Sequence, residues 1–309
     1  YDKLVYVNSF SKIFAMTGVQ FLKLNTLYQV LAMSVQGSPV LDAARTLLMI
    51  PDLLNYWLTG RKAGEFTDAT TTQFYDPVRR DWSRALFERM GLPDRILPEI
   101  VPPGTTLGPL LPSLAGETGA GGVPVIAPAC HDTGSAVAAV PSEGEEIAYI
   151  SSGTWSLMGA EVREPILSDA ALAYNFTNEG GVAGTFRFLK NIMGLWLVQE
   201  CRRAWEREGH PLGYDDLTRL AAEAEPFGPV VEPDDDRFVA IGDMPARLRA
   251  FCEETGQRPP SDRGALLRCA LESLALKYRF VLESLEEVLG RRLRAIHVVG
   301  GGSRNRLLC

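Results

Sequence analysis

The sequence predicts an α/β protein built in two domains, and three observations support this prediction. The chain has 309 residues, about twice the ~150 residues of an average domain. From residue 123 onward, short β-type runs are each followed by a polar turn that contains glycine. Segments with a helical apolar stripe precede these runs and separate them. Strands that alternate with helices are typical of α/β architectures.

Composition and charge narrow the class of function. The chain is 46% hydrophobic and 22% charged, which is typical of a globular protein and excludes disordered or collagen-like classes. It contains no apolar run of ~18 residues, so we expect no transmembrane helix. The net charge of −7, with dispersed basic residues, favours small-molecule ligands over nucleic acid. The five cysteines are widely spaced, so we expect no disulfide framework, no zinc site and a reducing, cytoplasmic setting.

The first third of the chain is predicted to be helical. Residues 26–36 carry a helical apolar pattern, and residues 51–60 open with Pro and close with Gly, which predicts a second helix. One apolar face of that helix is formed by Leu53, Leu54, Trp57 and Leu58. Residues 91–124 are rich in Pro and Gly, so we expect an irregular connection there.

The remaining elements are strands and one long helix. Strands are predicted at residues 123–127, 147–150, 155–160 and 295–299. Residues 262–290 carry apolar side chains in steps of three and four, with an Asp entry and a Gly exit. A coiled coil is one interpretation, but the broad stripe favours a buried core helix. The acidic turn at residues 140–146 is the expected domain boundary, which gives domains 1–143 and 144–309.

A His-Asp pair follows the first predicted strand. His131 and Asp132 stand where a strand meets a small-residue helix, and side chains at such strand ends face ligand crevices in α/β folds. Asp132 could accept a proton from an attacking hydroxyl while His131 or Thr133 orients the substrate. The alternative is that Asp132 only caps the following helix. Cys130 is a conceivable nucleophile, but neighbours on a strand face opposite ways.

Two glycine-bearing turns could bind phosphate oxygens. Residues 151–156 join two β-type runs through hydroxyl side chains, and Ser152 or Thr154 could contact phosphate; the alternative is a plain hairpin in which Gly153 has a positive φ. Residues 298–305 read as strand, Gly-Gly-Gly turn and helix start, which allows close approach of a nucleotide. This turn lacks both the Rossmann and the P-loop spacing.

A polar segment between residues 178 and 199 could bind a polyol. We expect it at a helix N-terminus, and its polar members are Asn178, Glu179, Arg187, Lys190, Asn191 and Gln199. The alternative is a plain cap at Asn191 and a surface position for Gln199. The histidines are far apart in sequence, and no metal-binding spacing is present, so no protein metal site is predicted.

Taken together, these segments resemble the FGGY family of sugar kinases from about residue 17 to the C-terminus. The resemblance rests on Leu-Thr-Gly at 58–60, Ala-Thr-Thr-Thr-Gln at 69–73, His-Asp-Thr at 131–133 and Gly-Gly-Gly at 300–302. Two longer strings, residues 151–159 and 189–196, are similar to family members that act on L-rhamnulose.

The resemblance implies an actin-like, ribonuclease-H-like pair of α/β domains that close on a cleft. It further implies a sugar-binding N-terminal domain and a nucleotide-binding C-terminal domain, which together use ATP and Mg²⁺ to phosphorylate the 1-hydroxyl of L-rhamnulose. By the same resemblance Asp132 matches the general base, which is compatible with a cap. The matching sugar contacts are His131, Asp132, Thr133 and Asn191, and the matching nucleotide contacts are Thr154, Gln199 and Gly301.

The sequence also departs from the family. The family's opening Asp-x-Gly-x-Ser-Ser-x-Arg hairpin and its last segment are not found in these 309 residues. We therefore expect a fragment that is inactive alone. The alternatives are another FGGY ketose or polyol kinase, or a non-catalytic sugar- or nucleotide-binding form of the fold.

Overall fold

The computed structural model describes residues 25–141 and 146–309, which fall into two compact units. The first unit combines residues 25–139 with Glu161–Phe188, and the second combines the residues from Val140 to Ala160 with Leu189–Cys309. The boundary predicted between residues 143 and 144 lies outside the described residues and stays a prediction, as does the start of the resemblance near residue 17.

The elements alternate along the chain as an α/β protein requires. The helices are α1 (Thr26–Val35), α2 (Pro39–Ala43), α3 (Ile50–Thr59), α4 (Phe66–Ala69), α5 (Arg84–Met90), α6 (Pro112–Thr118), α7 (Asp132–Ala138), α8 (Asp169–Ala173), α9 (Trp196–Arg207), α10 (Tyr214–Glu223), α11 (Met244–Glu254) and α12 (Arg263–Leu289). The strands are β1 (Ala63–Glu65), β2 (Tyr75–Asp76), β3 (Asp81–Trp82), β4 (Glu99–Val101), β5 (Thr106–Pro109), β6 (Pro124–Ile126), β7 (Ile147–Ser152), β8 (Trp155–Val162), β9 (Thr177–Gly180), β10 (Phe186–Met193) and β11 (Ala295–Val299). Short 3-10 turns cover Thr70–Thr72, Asp94–Ile96, Asp236–Phe238 and Gly301–Arg304.

The part of the first unit that the structure describes contains three two-stranded pairs. β1 pairs with β4 in parallel, whereas β2–β3 and β5–β6 are antiparallel. The prediction of an irregular connection over residues 91–124 is therefore wrong, because β4, β5 and α6 lie within it. The prolines and glycines there punctuate short elements: Pro112 starts α6, and Gly119 ends it in the left-handed conformation.

Both predicted helices of the first third are confirmed as α1 and α3. Gly60 closes α3 with a φ of 76°, as the Pro-to-Gly pattern predicted. The apolar face predicted for α3 is solvent-exposed at Leu54 and Trp57. Its buried member is instead Asp52, whose Oδ1 accepts a hydrogen bond from the backbone N–H of Glu65 at 2.9 Å. A polar contact to β1 therefore anchors α3 at this point.

The second unit contains one long helix and most of a five-stranded sheet, whose strand β9 belongs to the first unit. In this sheet the strand order is β11, β7, β8, β10, β9, with β11 parallel and β8 antiparallel to β7. The prediction of a core helix over residues 262–290 is confirmed as α12, whose Leu267 and Leu271 pack in the unit's hydrophobic core. Asp262 caps its start by accepting from Ala265 N–H at 2.9 Å, and Gly290 closes it in the left-handed conformation.

No helix within residues 25–141 and 146–309 combines the length and the apolar character that crossing a membrane requires.

Candidate active site

The His-Asp-Thr segment opens helix α7 in the first unit. His131 is the N-cap residue, with extended backbone angles, and Asp132 is already the first helical residue. The interpretation of Asp132 as the cap is therefore wrong: its Oδ1 accepts from the adjacent Thr133 N–H at 2.7 Å instead of from a residue further along the helix. The Asp132 side chain is 97% exposed, so its carboxylate is available to a ligand.

A buried carboxylate holds the backbone that carries this segment. Glu65, at the end of β1, accepts hydrogen bonds from the N–H groups of Thr67 (3.0 Å) and Cys130 (2.9 Å). The Thr67 hydroxyl donates to Glu65 and accepts from His131 N–H at 3.1 Å. Both Glu65 and Thr67 are buried. Residues of the β1–α4 turn thus fix the backbone one and two positions before Asp132, which keeps the Asp132 carboxylate in a defined place.

The side chain of His131 is fixed separately, by two residues of the β9–β10 hairpin. His131 Nδ1 lies 2.9 Å from Nη2 of Arg187 and 3.3 Å from Oε2 of Glu179. Arg187 is fully buried, lies 3.2 Å from Glu179 and donates through Nε to Gly180 O at 2.8 Å. Burial opposes ionisation of Glu179, but the neighbouring His131 and Arg187 outweigh it and lower the pKa of the Glu179 carboxyl. The pair therefore carries both its charges.

Two further carboxyls lie in the interior of this unit. Burial raises the pKa of Asp52 to about 7, with the charges of Asp68 and Glu65 adding to the effect. Burial also raises the pKa of Asp68, an effect that the nearby His131 opposes. The Thr70 hydroxyl accepts from Gly180 N–H at 2.7 Å, so the threonine string after α4 supports the β9–β10 hairpin.

The conceivable nucleophile Cys130 is unsuited to that role. Burial, aided by the charges of Glu65 and Asp52, raises the pKa of its thiol to about 12. The thiolate is the reactive form of cysteine, so this environment suppresses reactivity. Each of the five cysteines is a free thiol.

In the second unit, the β7–β8 hairpin meets the start of α9. Leu195 N–H donates to Gly153 O (3.0 Å) and Trp196 N–H to Thr154 O (3.1 Å). The Thr154 hydroxyl donates to Gln199 Oε1 at 3.1 Å, so the structure brings these two predicted nucleotide contacts together. Since Oε1 is occupied, the Gln199 amide presents N–H groups, which suit ribose or phosphate oxygens.

The hairpin alternative for residues 151–156 is confirmed in its pairing but wrong in its backbone detail. Ser152 pairs with Ser156 across the turn. Gly153, however, is absent from the residues with positive φ. The glycine that packing demands is Gly194, where a Cβ atom would lie 2.6 Å from Ser156 Oγ. Close approach of β10's end to the hairpin therefore requires a residue without a side chain.

The third predicted nucleotide contact, Gly301, lies in the turn after β11. β11 pairs with β7 so that Val299 faces Ser151, which places the turn beside Ser152. Gly300 has a φ of 84°, and a Cβ there would lie 2.7 Å from Ser152 O. Only glycine fits such a backbone, and the result is an open peptide surface at the start of a 3-10 turn. The role of Gly301 as a nucleotide contact stays a prediction.

Asn191 and its neighbours lie on a strand. The helix expected to carry Trp196 and Gln199 is confirmed as α9, which is capped at Leu195. The expected place of Arg187, Lys190 and Asn191 at its N-terminus is wrong, because these residues belong to β10. The plain cap at Asn191 is wrong for the same reason. Along β10, Arg187 supports His131 within the first unit, whereas Asn191 belongs to the second unit.

The residues described contain no group of three or more His, Cys, Asp or Glu side chains arranged to hold a metal ion. Mg²⁺ is commonly bound by substrate phosphates with few protein ligands, so the use of Mg²⁺ stays a prediction.

Family models place this architecture in a known class. The model of the N-terminal domain of the FGGY family of carbohydrate kinases matches residues 2–139, and that of the C-terminal domain matches residues 148–309. The chain belongs to the FGGY family of carbohydrate kinases.

Curated relatives and solved structures agree with this assignment. The chain is 44% identical over 298 residues to a rhamnulokinase from Bacteroides thetaiotaomicron and 43% identical over 297 residues to one from Oceanobacillus iheyensis. Each alignment covers 96% of this chain but only 61% and 62% of the relatives' length. A gluconate kinase from Lactobacillus acidophilus (TM-score 0.70, 15% identity, 96% of this chain and 59% of that one) shares the fold. So does a xylulose kinase from Brucella ovis (TM-score 0.68, 22% identity, 92% and 57%).

Four residues that support the His131–Asp132 segment have no local sequence signal for that role. Sequence reasoning named Glu179 and Arg187 only as possible polyol ligands, and it did not single out Glu65 or Thr67. The threonine string at residues 69–73 was the one available signal for the support around Thr70.

Proposed function

We propose that the protein to which this chain belongs transfers the γ-phosphoryl group of ATP to the 1-hydroxyl of L-rhamnulose, with Asp132 as the general base. The observation that carries the proposal is the exposed Asp132 carboxylate, held by a buried hydrogen-bond network at the end of a strand–helix connection. Its support in sequence is the 40–44% identity to proteins described as rhamnulokinases.

The chemistry requires mainly alignment and charge stabilisation. Phosphoryl transfer proceeds through a loose transition state, so the protein has to orient the hydroxyl and accept its proton. Asp132 accepts that proton, while His131, Thr133 and Asn191 bind sugar oxygens. ATP supplies the phosphoryl group, and Mg²⁺ bound to its phosphates would neutralise part of their charge.

The nucleotide is assigned to the second unit. The Gln199 amide, oriented by Thr154, donates to ribose or phosphate oxygens, and phosphate binds to backbone N–H groups of the turn at Gly301, where a Cβ atom would have no other atom within 4 Å. These groups bind charge by fixed dipoles, which need little rearrangement during the reaction.

The experiment measures ADP release by the complete protein over a panel of L-rhamnulose, L-xylulose, D-xylulose, gluconate and glycerol. We expect L-rhamnulose to have the highest kcat/KM. A higher value for another sugar would replace the substrate assignment with a different ketose or polyol. No ADP release with any sugar, while ATP still binds, would favour a non-catalytic binding protein.

The role of Asp132 has its own test. Asp132→Asn should lower kcat by about 100-fold or more while the sugar Kd changes by less than about tenfold, because a general base acts on the chemical step. Asp169→Asn is the matched control, since Asp169 is the exposed first residue of α8 in the same unit. Turnover of Asp132→Asn near that of the control would contradict the assigned role.

A further inference from the structure

One atom of Arg187 and one atom of Glu179 lie next to the Nδ1 atom of the His131 ring. The Nδ1 atom is 2.9 Å from Arg187 Nη2 and 3.3 Å from Glu179 Oε2. Arg187 Nη2 and Glu179 Oε2 are 3.2 Å from each other. The other ring nitrogen, Nε2, lies 3.6 Å from Asp132 Oδ1. The two nitrogens therefore face different surroundings, one buried and one beside the exposed carboxylate.

The chemistry of arginine decides which nitrogen carries the proton. A guanidinium has five N–H donors and no acceptor, and it stays protonated in proteins. At 2.9 Å, an N–H on Nδ1 would oppose an N–H of Arg187, so Nδ1 has to be the acceptor. The same nitrogen, Arg187 Nη2, lies 3.2 Å from Glu179 Oε2 in an ion pair, while that oxygen has no hydrogen-bond partner among the described residues.

We propose that Arg187 is a positioning residue that fixes His131 as the tautomer protonated at Nε2. The ring then presents a hydrogen-bond donor beside Asp132, and this donor binds a sugar oxygen. The inference rests on the proposed function for the identity of the sugar. Glu179 and Gly180 O hold the guanidinium in place, through the 3.2 Å ion pair and the 2.8 Å hydrogen bond from Nε.

The burial of Arg187 and Glu179 supports a role in fixing the tautomer of the His131 ring. The Arg187 side chain is 0% exposed and that of Glu179 8% exposed, so neither can bind solvent in place of its partner. A hydrogen bond on one ring nitrogen commonly sets the state of the other, which is how histidines at functional sites are oriented. The charged and titratable groups that face the ring are Glu179, Arg187, Asp132 and Asp68.

The first test measures the tautomer directly in the complete protein. Histidine labelled with ¹⁵N is incorporated, long-range ¹H–¹⁵N correlations are recorded near pH 8, and the His131→Gln variant identifies the signals of His131. We expect protonated Nε2 and unprotonated Nδ1. Protonated Nδ1, in a hydrogen bond to Glu179, would overturn the proposal. This measurement needs neither activity nor a substitution at Arg187, so it is independent of the substrate assignment.

The second test asks whether Arg187 acts through His131. Arg187→Met should move the ring proton toward Glu179 and raise the sugar KM about tenfold, the effect of losing roughly one hydrogen bond. In the His131→Gln background, the same substitution should add no further change in KM. A purely structural role predicts instead that the two effects multiply, and that result would overturn the proposal.

The matched control is Arg80→Met, which removes an exposed arginine paired with Glu164 at 3.3 Å in the same unit. We expect it to leave both the His131 tautomer and the sugar KM unchanged. If Arg187→Met does not fold, the tautomer of the unsubstituted protein still decides the question. A protein with the expected tautomer but with gluconate as best substrate would refute the proposed function and keep this inference.

Discussion

Replacing Asp52 by Asn should remove a large part of the pH dependence of the protein's stability. Asp52 is 2% exposed on helix α3, and burial raises the pKa of its carboxyl from 3.8 to about 7. Because the pKa is higher in the folded than in the unfolded state, the folded state binds the proton more tightly. The stabilisation is fully present below pH ~4 and is lost as the pH rises through about 7.

The two pKa values set the size of the effect. Each pH unit between them corresponds to about 1.36 kcal/mol, so a change from 3.8 to about 7 corresponds to on the order of 4 kcal/mol. An Asn at this position is neutral at every pH and can still accept from Glu65 N–H, as the Asp52 Oδ1 atom does at 2.9 Å. The variant should therefore match the wild type near pH 4 and be more stable near pH 8.5.

The assay is urea unfolding between pH 4 and pH 8.5, followed by tryptophan fluorescence, with the difference in unfolding free energy plotted against pH. Trp82 is a suitable probe because it is buried in the same unit. Asp42→Asn is the control, since Asp42 is exposed in the first turn of α2 and should give a flat difference. If the difference in unfolding free energy between Asp52→Asn and the wild type is also independent of pH, the proposed coupling between the burial and the ionisation of Asp52 is refuted.

Three further outcomes follow from the geometry. Gly300→Ala should weaken ATP binding at least tenfold with little change in sugar binding, because its Cβ would lie 2.7 Å from Ser152 O at a φ of 84°; calorimetry with each ligand checks this. Tyr278→Phe should lower the unfolding free energy by about 1–2 kcal/mol, because it removes the tyrosine hydroxyl that lies 2.6 Å from the buried Ser156 hydroxyl. Adding Ser156→Ala should restore part of this loss, and urea titrations measure both effects. Cys130 should react with iodoacetamide at pH 8 far more slowly than free cysteine, given a thiol pKa of about 12, and a mass-spectrometric time course tests that.

The sequence predicted best those elements whose signals are local. Helix α12 was delimited by Asp262 and Gly290, because caps act within one turn of the residues they stabilise. Strand β11 matched its predicted range because a β-branched run between turn signals needs no distant information. The failures fall where packing overrides composition. Residues 91–124 form strands because β4 finds a partner in β1, a pairing more than 30 residues away that local pattern does not encode.

The candidate site divides in the same way. The exposed candidate site residues, such as Asp132 and Thr154, stand in short strings of hydroxyl, acidic and glycine residues, and such strings can be recognised. Their supports come from elsewhere in the chain: Glu65 is 65 residues from the Cys130 N–H that it accepts, and Arg187 is 56 residues from His131. A buried Glu or Arg has no local pattern that separates it from a surface one, so only the folded structure shows the role.

The burial of the Arg187–Glu179 ion pair raises the question of why the protein contains it. Removing two charges from water costs several kcal/mol per ion, and replacing a buried ion pair by apolar residues of similar volume is often neutral or stabilising. Stability alone is therefore a weak reason for this pair to exist. Its contact with the ring of His131 supplies a stronger one, because an apolar pair could pack against the imidazole but could not set its tautomer. If the pair is present for function, the double variant Arg187→Met, Glu179→Leu should have an unfolding free energy close to that of the wild type but a raised sugar KM. If the pair is present for stability, the same variant should have a lowered unfolding free energy and an unchanged sugar KM. Measuring both quantities on that one variant separates the two explanations, and a sugar KM equal to that of the wild type would return the pair to a structural role.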